Sequence, residues 1–578
     1  MSTDTSEKGL ESLIVRHMTG TDGLAVAPGT ASQPPAHYGG SGYIAGSPQD
    51  YDRAHALDAA QLFTFLRATQ PEAFKKLAIV DVNDAKDISR LKFLARLSNE
   101  VGKRGVVDVL RRGIEHHPAG HFDLFCGTPS EGNAKAAAQH ALNRFSLTRQ
   151  LAYSADETRR ALDLGLFING LPVATFELKN SLTKQTVLDA VEQYKRDRSP
   201  RERLFEFGRC AVHFAVDDAE VRMCTQLDGK ASWFLPFNKG FDDGAGNPPN
   251  PQGLKTDYLW KEVLTPAGLT DILENYAQVV EFRDPRSGKK KRVQIFPRYH
   301  QLGVVRHALA DVRAHGAGRR YLIQHSAGSG KSNSIAWLAH QLIGVRREAA
   351  EGGKEGGKEV FDSVIVITDR RILDDQIQRT IKQFMQVAAT VGHAERSGDL
   401  RRFIEQGKKI IVTTVQKFPW ILDEIGAVGD KCFAIVIDEA HSSQGGKTSR
   451  AMGQALGKVL LADLDAAQGA ELDQPPDPED LINAALEARM AARRMLANAS
   501  YFAFTATPKH KTLEMFGQAL PPDAEGKVKH RPFHHYSMKQ AVQEGFILDV
   551  LAHYTPVDSW YKLIKKTDDD PEFDTKKA

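Results

Sequence analysis

The stretch that most restricts what this chain can become is residues 321–345, YLIQHSAGSGKSNSIAWLAHQLIGV. Residues 321–324 read as a short buried strand. A loop of small residues follows, Ser326-Ala327-Gly328-Ser329-Gly330-Lys331-Ser332. Ile335, Trp337, Leu338, Gln341 and Leu342 then set up a helical pattern. Strand, glycine loop and helix in that order make a phosphate cradle. Gly328, Ser329 and Gly330 let backbone N–H groups close on a β-phosphate, and the helix N-terminus adds partial positive charge. Lys331 would reach the β- and γ-phosphates, and the Ser332 hydroxyl would bind Mg²⁺. His325 stands where G-x-x-x-x-G-K-[ST] usually has its first glycine. The flanking strand and helix separate this pattern from an ordinary glycine-rich turn.

Downstream, apolar runs of strand length recur at 364–368, 410–414, 433–437 and 501–504. Continuous apolar runs alternating with helices predict a parallel sheet covered on both faces. Each run ends in polar residues, where such a sheet keeps its ligands. The run AIVIDEAH therefore places Asp438 and Glu439 at a strand's carboxyl end. Asp438 would hold Mg²⁺ through water, and Glu439 would polarise an attacking water.

Upstream the pattern changes. Residues 7–18 read as an amphipathic helix, a Gly/Pro/Ser-rich loop follows to about residue 47, and a helix is expected over 54–66. FSLTRQLAYS, from Phe145, alternates like a strand. DLGLFINGLPVATFELKN is a hairpin, with strands at 164–168 and 173–178 around an Asn169-Gly170 turn. A helix is expected over 183–196, with Val187, Ala190, Val191 and Tyr194 on its apolar face. Asp163 stands at the hairpin's entrance, and Glu177-Leu178-Lys179 ends its second strand, so Glu177 and Lys179 share a face. An Asp followed by Glu-x-Lys is the spacing of the PD-(D/E)xK nucleases. Asp163 and Glu177 would there hold Mg²⁺, and Lys179 would orient or deprotonate the attacking water. A solvated hairpin face is the bland alternative. Charges inside the apolar strand ATFELKN argue against it, because each needs a partner there.

The chain's totals fit this picture. At 578 residues it exceeds one core, so two or more domains are expected. The net charge of +3 means that any basic surface is local. Four scattered cysteines imply neither a disulfide framework nor a zinc site. With no apolar leader and no run of membrane-spanning length, a cytoplasmic protein without a membrane partner is expected.

The segments SGYIAGSPQDYDRAHALD, NRFSLTRQL, LDLGLFINGLPVATFELKN, DAVEQYKRDR and WFLPFNKG resemble the restriction (R) subunit of type I restriction–modification enzymes. The resemblance runs to about residue 555. One departure is Ala190, four residues before Tyr194, where the family often has glutamine; Gln193 is instead adjacent to the tyrosine. In the second half, Phe296-Pro297-Arg298-Tyr299-His300-Gln301 places Gln301 where superfamily 2 helicases read the adenine. Asp438-Glu439-Ala440-His441 matches a DEAH box, so His441 joins the nucleotide-binding set. Phe504-Thr505-Ala506-Thr507-Pro508 resembles the helicase motif that links ATP state to DNA grip, through Thr505 and Thr507. Thr368-Asp369-Arg370 and Thr413-Thr414-Val415-Gln416 resemble strand-contacting motifs.

The resemblance implies an α/β chain: a PD-(D/E)xK nuclease domain (1–245), a linker and connecting helix (246–290), and a RecA-like superfamily 2 ATPase domain (291–578). The connecting helix falls at 269–282, and the basic run 286–292, RSGKKKR, suits either a phosphate contact or a solvated loop. The implied activity is ATP-dependent translocation of double-stranded DNA with Mg²⁺-dependent cleavage. Methyltransferase (M) and specificity (S) subunits would be its partners, and ATP and Mg²⁺ its cofactors. The chain stops where a second RecA-like domain would begin, so ATP binding with little turnover is expected of these residues alone. Two other readings stay open: a helicase–nuclease of DNA repair or phage defence that needs no methylase, and a non-catalytic ATP-dependent DNA clamp.

Overall fold

The computed structural model describes residues 7–21, 39–130, 132–156, 160–180, 183–283, 288–347, 357–368, 391–393, 397–414, 431–438, 498–523 and 525–549. Two seven-stranded sheets organise them.

The first sheet consists of β1 (Ile44–Gly46), β2 (Phe145–Ala152), β3 (Ala161–Ile168), β4 (Leu171–Leu178), β5 (Val212–Val216), β6 (Val221–Cys224) and β7 (Leu235–Pro236), side by side in chain order. β1 runs parallel to β2 and β4 to β5; the other neighbours are antiparallel. Every residue of β4 is buried, so this strand lies between two covered faces. On one face α1 (Glu7–Thr19) contributes Leu10, Ile14 and Met18 to a core shared with Leu164, Ala174 and Phe176. On the other, α2 (Val187–Asp197) presses Val187, Ala190, Val191 and Tyr194 against Phe167 and Ala215.

The expected hairpin is present. Asn169 (φ 49°) and Gly170 (φ 81°) both lie in the left-handed region, the geometry whose twist matches the strands it joins. α2 begins at Val187 rather than at residue 183. Thr186 is its cap, and the Asp189 carboxylate accepts from Thr186 N at 2.7 Å, so the sequence's own capping box sets the start.

Two expectations for the middle of the chain are corrected. The Gly/Asn/Pro-rich residues 241–258, which run into the expected linker, are packed against the first sheet. Thr256 donates to the Asp217 carbonyl at 2.7 Å, Asn247 donates to the Ala219 carbonyl at 2.9 Å, and both residues are buried. Their Gly, Asn and Pro content makes turns, not slack. The helix expected over 269–282 ends at Asn275, and Gln278–Arg283 pairs with Lys290–Ile295 as a two-stranded antiparallel ribbon. The β-branched pair Val279-Val280 favours that ladder over a continued helix.

The second sheet is parallel throughout. It holds β8 (Arg320–His325), β9 (Ser363–Thr368), β10 (Val391–His393), β11 (Ile410–Thr414), β12 (Phe433–Asp438), β13 (Ala499–Thr505) and β14 (His534–Tyr536), in the order β10-β11-β9-β12-β13-β8-β14. One face is covered by Val304, Val305 and Ala308 of α3 (Tyr299–His315) and by Ile335, Trp337 and Leu338 of α4 (Lys331–Leu342). Met515 and Phe516 pack on the other, against Tyr501 and Ala503. β13 separates β8, which leads into the glycine loop, from β12, which ends at Asp438. Among the described residues no helix is long and apolar enough to cross a membrane.

Gly170 has no room for a side chain: a Cβ there would press on the Asp58 carbonyl and on Leu62. Gly170→Ala should therefore destabilise the first sheet by roughly 2 kcal/mol or more, from left-handed strain plus that clash. Urea unfolding reads the loss, and an unchanged midpoint would refute the turn assignment.

Candidate functional site

The glycine loop takes its shape from groups outside it. Gly328 (φ 72°) and Gly330 (φ 77°) turn the backbone, and a Cβ on Gly330 would strike the Gln301 amide. Arg298 Nη2 donates to the Gly328 carbonyl at 2.9 Å, and His300 Nε2 to the Ser329 carbonyl at 2.9 Å. Gln301 Nε2 reaches both the Ser329 and Gly330 carbonyls, at 3.2 and 3.0 Å, while its Oε1 accepts from Arg298 N at 3.0 Å. Gln301 thus lies at the loop, with its carboxamide bonded to the loop's own backbone. Burial, reinforced by the Arg298 charge, keeps the His300 imidazole neutral and far below its ordinary range.

His325 is the last residue of β8, in extended backbone paired with β14, so no glycine is needed there. Its Nε2 lies 2.9 Å from His534 Nδ1, and burial holds both rings neutral, His534 down to about 3. Lys331 and Ser332 open α4 directly after Gly330, and Lys331 Nζ donates to the His325 carbonyl at 3.1 Å. Ser329 Oγ is buried without a hydrogen-bond partner. A loop bent by two left-handed glycines, a lysine across it and a buried orphan hydroxyl fit a phosphate chain with its metal.

Asp438 is buried at the end of β12, opposite Phe504 of β13, and the next residue, Thr505, pairs with Gln324. Asp438, Thr505 and the start of the loop therefore share one rim of the sheet. Thr507, two residues past β13, is exposed. Glu439 and His441 lie outside the described residues, as do Asp369, Arg370, Val415 and Gln416. Beside the loop is a cavity of about 490 Å³, lined by Arg298, Gln301, Gly328 and Phe546 and, across it, by Gln226 and Trp233 from the first sheet's region. The Arg298 guanidinium sits 4.2 Å over the Phe546 ring. Sequence reasoning picked Gln301 out of FPRYHQ and missed Arg298 and His300. Polar side chains packed just before a helix were the available signal.

The hairpin gathers its three residues as the alternation requires. Gly165 pairs with Thr175 and Leu164 with Phe176, which sets Asp163 across from Glu177 on the α2 face. Asp163, half-buried, accepts from Leu178 N at 2.7 Å. Lys179, just past β4, is buried, and its backbone N–H donates to the Val216 carbonyl at 2.9 Å. Two residues before Glu177 on the same face, Thr175 Oγ1 lies 2.8 Å from Tyr194 Oη and 2.7 Å from His213 Nδ1. Tyr194 is thus committed to the core below the site, while Gln193 beside it is half-buried on α2.

The sequence did not reveal Arg198, one of four basic residues in KRDRSPR. Its Nε donates to Glu177 Oε1 at 2.6 Å, Nη1 to Tyr153 Oη at 3.1 Å and Nη2 to the Ala161 carbonyl at 2.9 Å. Glu177 is fully buried, and its other oxygen, Oε2, has no hydrogen-bond partner. Desolvation pushes its carboxyl up to about 8 even though Arg198 pulls the other way. Burial opposes the Arg198 charge too, but the Glu177 contact holds that guanidinium protonated. A buried orphan carboxylate oxygen on a strand position opposite Asp163 fits a divalent cation. Among the described residues no group of three or more His, Cys, Asp or Glu gathers into a metal-binding cluster, so this site offers two carboxylates.

Since Glu177 titrates higher folded than unfolded, its ionisation costs no stability below about pH 4.5, costs more as pH rises, and levels off past about 8. Without Arg198 the levelling comes later. Arg198→Met should thus cost roughly 3 kcal/mol, and the gap from wild type should widen between pH 6 and pH 9 by about 1 kcal/mol or more. Urea titrations at the two pH values measure it; a gap that narrows with pH would contradict the pairing.

Residues 300–575 match the SWI2/SNF2 ATPase family, and residues 76–232 match the N terminus of type I restriction enzyme R proteins. The chain is 26% identical over 327 residues to the type I restriction enzyme HindI endonuclease subunit of Haemophilus influenzae, covering 53% of this chain and 28% of that protein. It is 21% identical over 422 residues to the type I restriction enzyme SsaAORF53P endonuclease subunit of Staphylococcus saprophyticus, covering 71% of this chain and 36% of that one. This chain therefore spans about a third of the length of these relatives. A solved chain of the T4 UvsW helicase covers 37% of this chain and 31% of its own at 11% identity, with a TM-score of 0.22.

Proposed function

We propose that this relative of the type I restriction enzyme R proteins works as the DNA-translocating and DNA-cutting subunit of such an enzyme. Residues 1–245 would be the nuclease region, 246–290 the connection and 291–578 the first ATPase lobe. Methyltransferase and specificity subunits would supply sequence recognition. One observation carries the reading: a single chain presents a glycine loop on an all-parallel sheet and, separately, an Asp/Glu/Lys set on neighbouring hairpin strands. The run β2-β3-β4-α2-β5, with α2 on one face of the sheet and α1 on the other, supports a nuclease core with a helix on each face.

Mg²⁺ would be held by Asp163 and Glu177 at the hairpin and by Ser332 and Asp438 at the loop, supplying charge stabilisation at the phosphoryl group. The protein's own groups do the rest. Arg198 fixes the Glu177 carboxylate from behind, leaving Oε2 for the substrate side. Lys179 would orient the water that attacks the scissile phosphate. At the loop, Lys331 would move from the His325 carbonyl to the β- and γ-phosphates, and Glu439 would polarise the hydrolytic water. Gln301 would support the adenine end from its position in the lining of the neighbouring cavity.

The two sites should be separable. In the assembled enzyme with its full-length subunit, Glu177→Ala should lower plasmid cleavage about 100-fold or more and leave ATP hydrolysis intact. Lys331→Ala should weaken ATP binding to the 578-residue chain about tenfold or more, read by calorimetry. Cleavage that persists in Glu177→Ala, or unchanged ATP affinity in folded Lys331→Ala, would overturn the corresponding assignment.

A further inference from the structure

A second cavity, of about 530 Å³, lies away from both sites. It opens between the helices Ile88–Arg104 and Val106–Arg112 on one side and the ribbon Gln278–Arg283/Lys290–Ile295 on the other. Its lining carries Lys103, Arg104, Arg111, Arg112 and Arg292, five cations against the three acids Asp108, Glu274 and Glu281. The ribbon extends this lining with Lys290, on the same face as Arg292, and carries Lys289 and Lys291 on its other face, all three exposed. The chain as a whole carries only +3, so positive charge is concentrated here.

The groove is a built feature. Arg111 donates to the Leu273 and Ala277 carbonyls, both at 2.6 Å, which ties its helix to the segment leading into the ribbon. Arg292 donates to the Lys103 carbonyl at the end of the other helix, and its guanidinium lies 5.0 Å over Phe207. At the ribbon's root, Gln294 Nε2 donates to the Cys210 and Ala211 carbonyls beside β5. The walls are thus fixed, while Lys103, Arg112 and Lys290 keep 67%, 65% and 75% of their side chains in solvent. Each pairs with an acid, Arg112 with the half-buried Asp108 at 3.3 Å, Lys103 with the buried Glu100 at 3.6 Å and Lys290 with the exposed Glu281 at 2.7 Å, so every pair keeps its cation end in solvent. Such pairs are worth little and yield readily to a stronger anion.

We infer that this groove and its ribbon seat the phosphodiester backbone of duplex DNA. A small anion is held by enclosed N–H donors, whereas this surface offers long side chains strung along an open track. A six-residue ribbon is about 20 Å long, which along a duplex is about six phosphates of one strand. The ribbon leads straight into Phe296–Gln301, the segment clamping the glycine loop, so a duplex seated here meets the ATPase region at its clamp. The inference rests on the reading of the chain as a DNA-handling protein. Duplex binding is measured without ATP hydrolysis or cleavage, so its failure is distinguishable from failure of either reaction.

The test is fluorescence anisotropy of a labelled duplex of about 30 base pairs, titrated with the 578-residue chain at several salt concentrations. Two variants carry it: Lys289→Ala/Lys290→Ala/Lys291→Ala, and Lys103→Ala/Arg112→Ala. Each should weaken binding about tenfold or more and reduce the slope of log K against log salt by about 2. Thermal midpoints and ATP affinity should stay at wild-type values. A control, Lys75→Ala/Lys76→Ala, alters exposed lysines elsewhere and should change neither quantity. Wild-type slopes in both groove variants, an equal effect in the control, no duplex binding by the wild type, or a greater loss for single-stranded DNA or RNA would each overturn the inference.

Discussion

The carbonyls of Gly328, Ser329 and Gly330 are held by side chains from a single turn of chain, Arg298, His300 and Gln301. A loop bent by left-handed glycines has many conformations to lose, and an external clamp removes that entropy before any ligand arrives. From the other side, Ser326 N donates to the Tyr536 carbonyl of β14 at 3.0 Å, and the His300 ring stacks on Tyr536 at 3.8 Å. The clamp is itself anchored. It continues the ribbon strand whose Gln294 is bonded beside β5, so one short stretch of chain grips both sheets.

The two candidate sites solve opposite electrostatic problems. Around the loop, buried imidazoles stay neutral, so the lysine meets no rival cation from His300, His325 or His534. At the hairpin a carboxylate is buried on an apolar face, where Arg198, bonded to it at 2.6 Å, and the Lys179 charge oppose its protonation. Removing either partner from a buried pair leaves an uncompensated charge, so the Glu177–Arg198 contact constrains both the fold and the chemistry.

What the sequence disclosed follows from locality. Asn169-Gly170 marks its turn because two adjacent left-handed residues have few other uses. The strands at 364–368, 410–414, 433–437 and 501–504 were legible because a strand covered on both faces must be apolar throughout. β10 and β14, three residues each, are too short to leave such a run. Residues 241–258 carry a linker's composition, yet their turns are pinned by Asn247 and Thr256, whose partners lie on distant residues. Arg198 was hidden for the same reason. Its meaning depends on Glu177 and Tyr153, which only the folded sheet brings to it.

The strand order also imposes a timetable on synthesis. The first sheet pairs its strands in the order in which they are made. β8 instead lies between β13 and β14: Gly318 bonds to Ser500, 182 residues away, and His325 to His534, 209 residues away. At about 5–20 residues per second, a ribosome needs roughly ten to forty seconds to deliver either neighbour. Through that interval β8 has two bare edges and an apolar face, the condition in which chaperones hold nascent chains. A polypeptide arrested before residue 536 would carry the glycine loop's sequence without its shape.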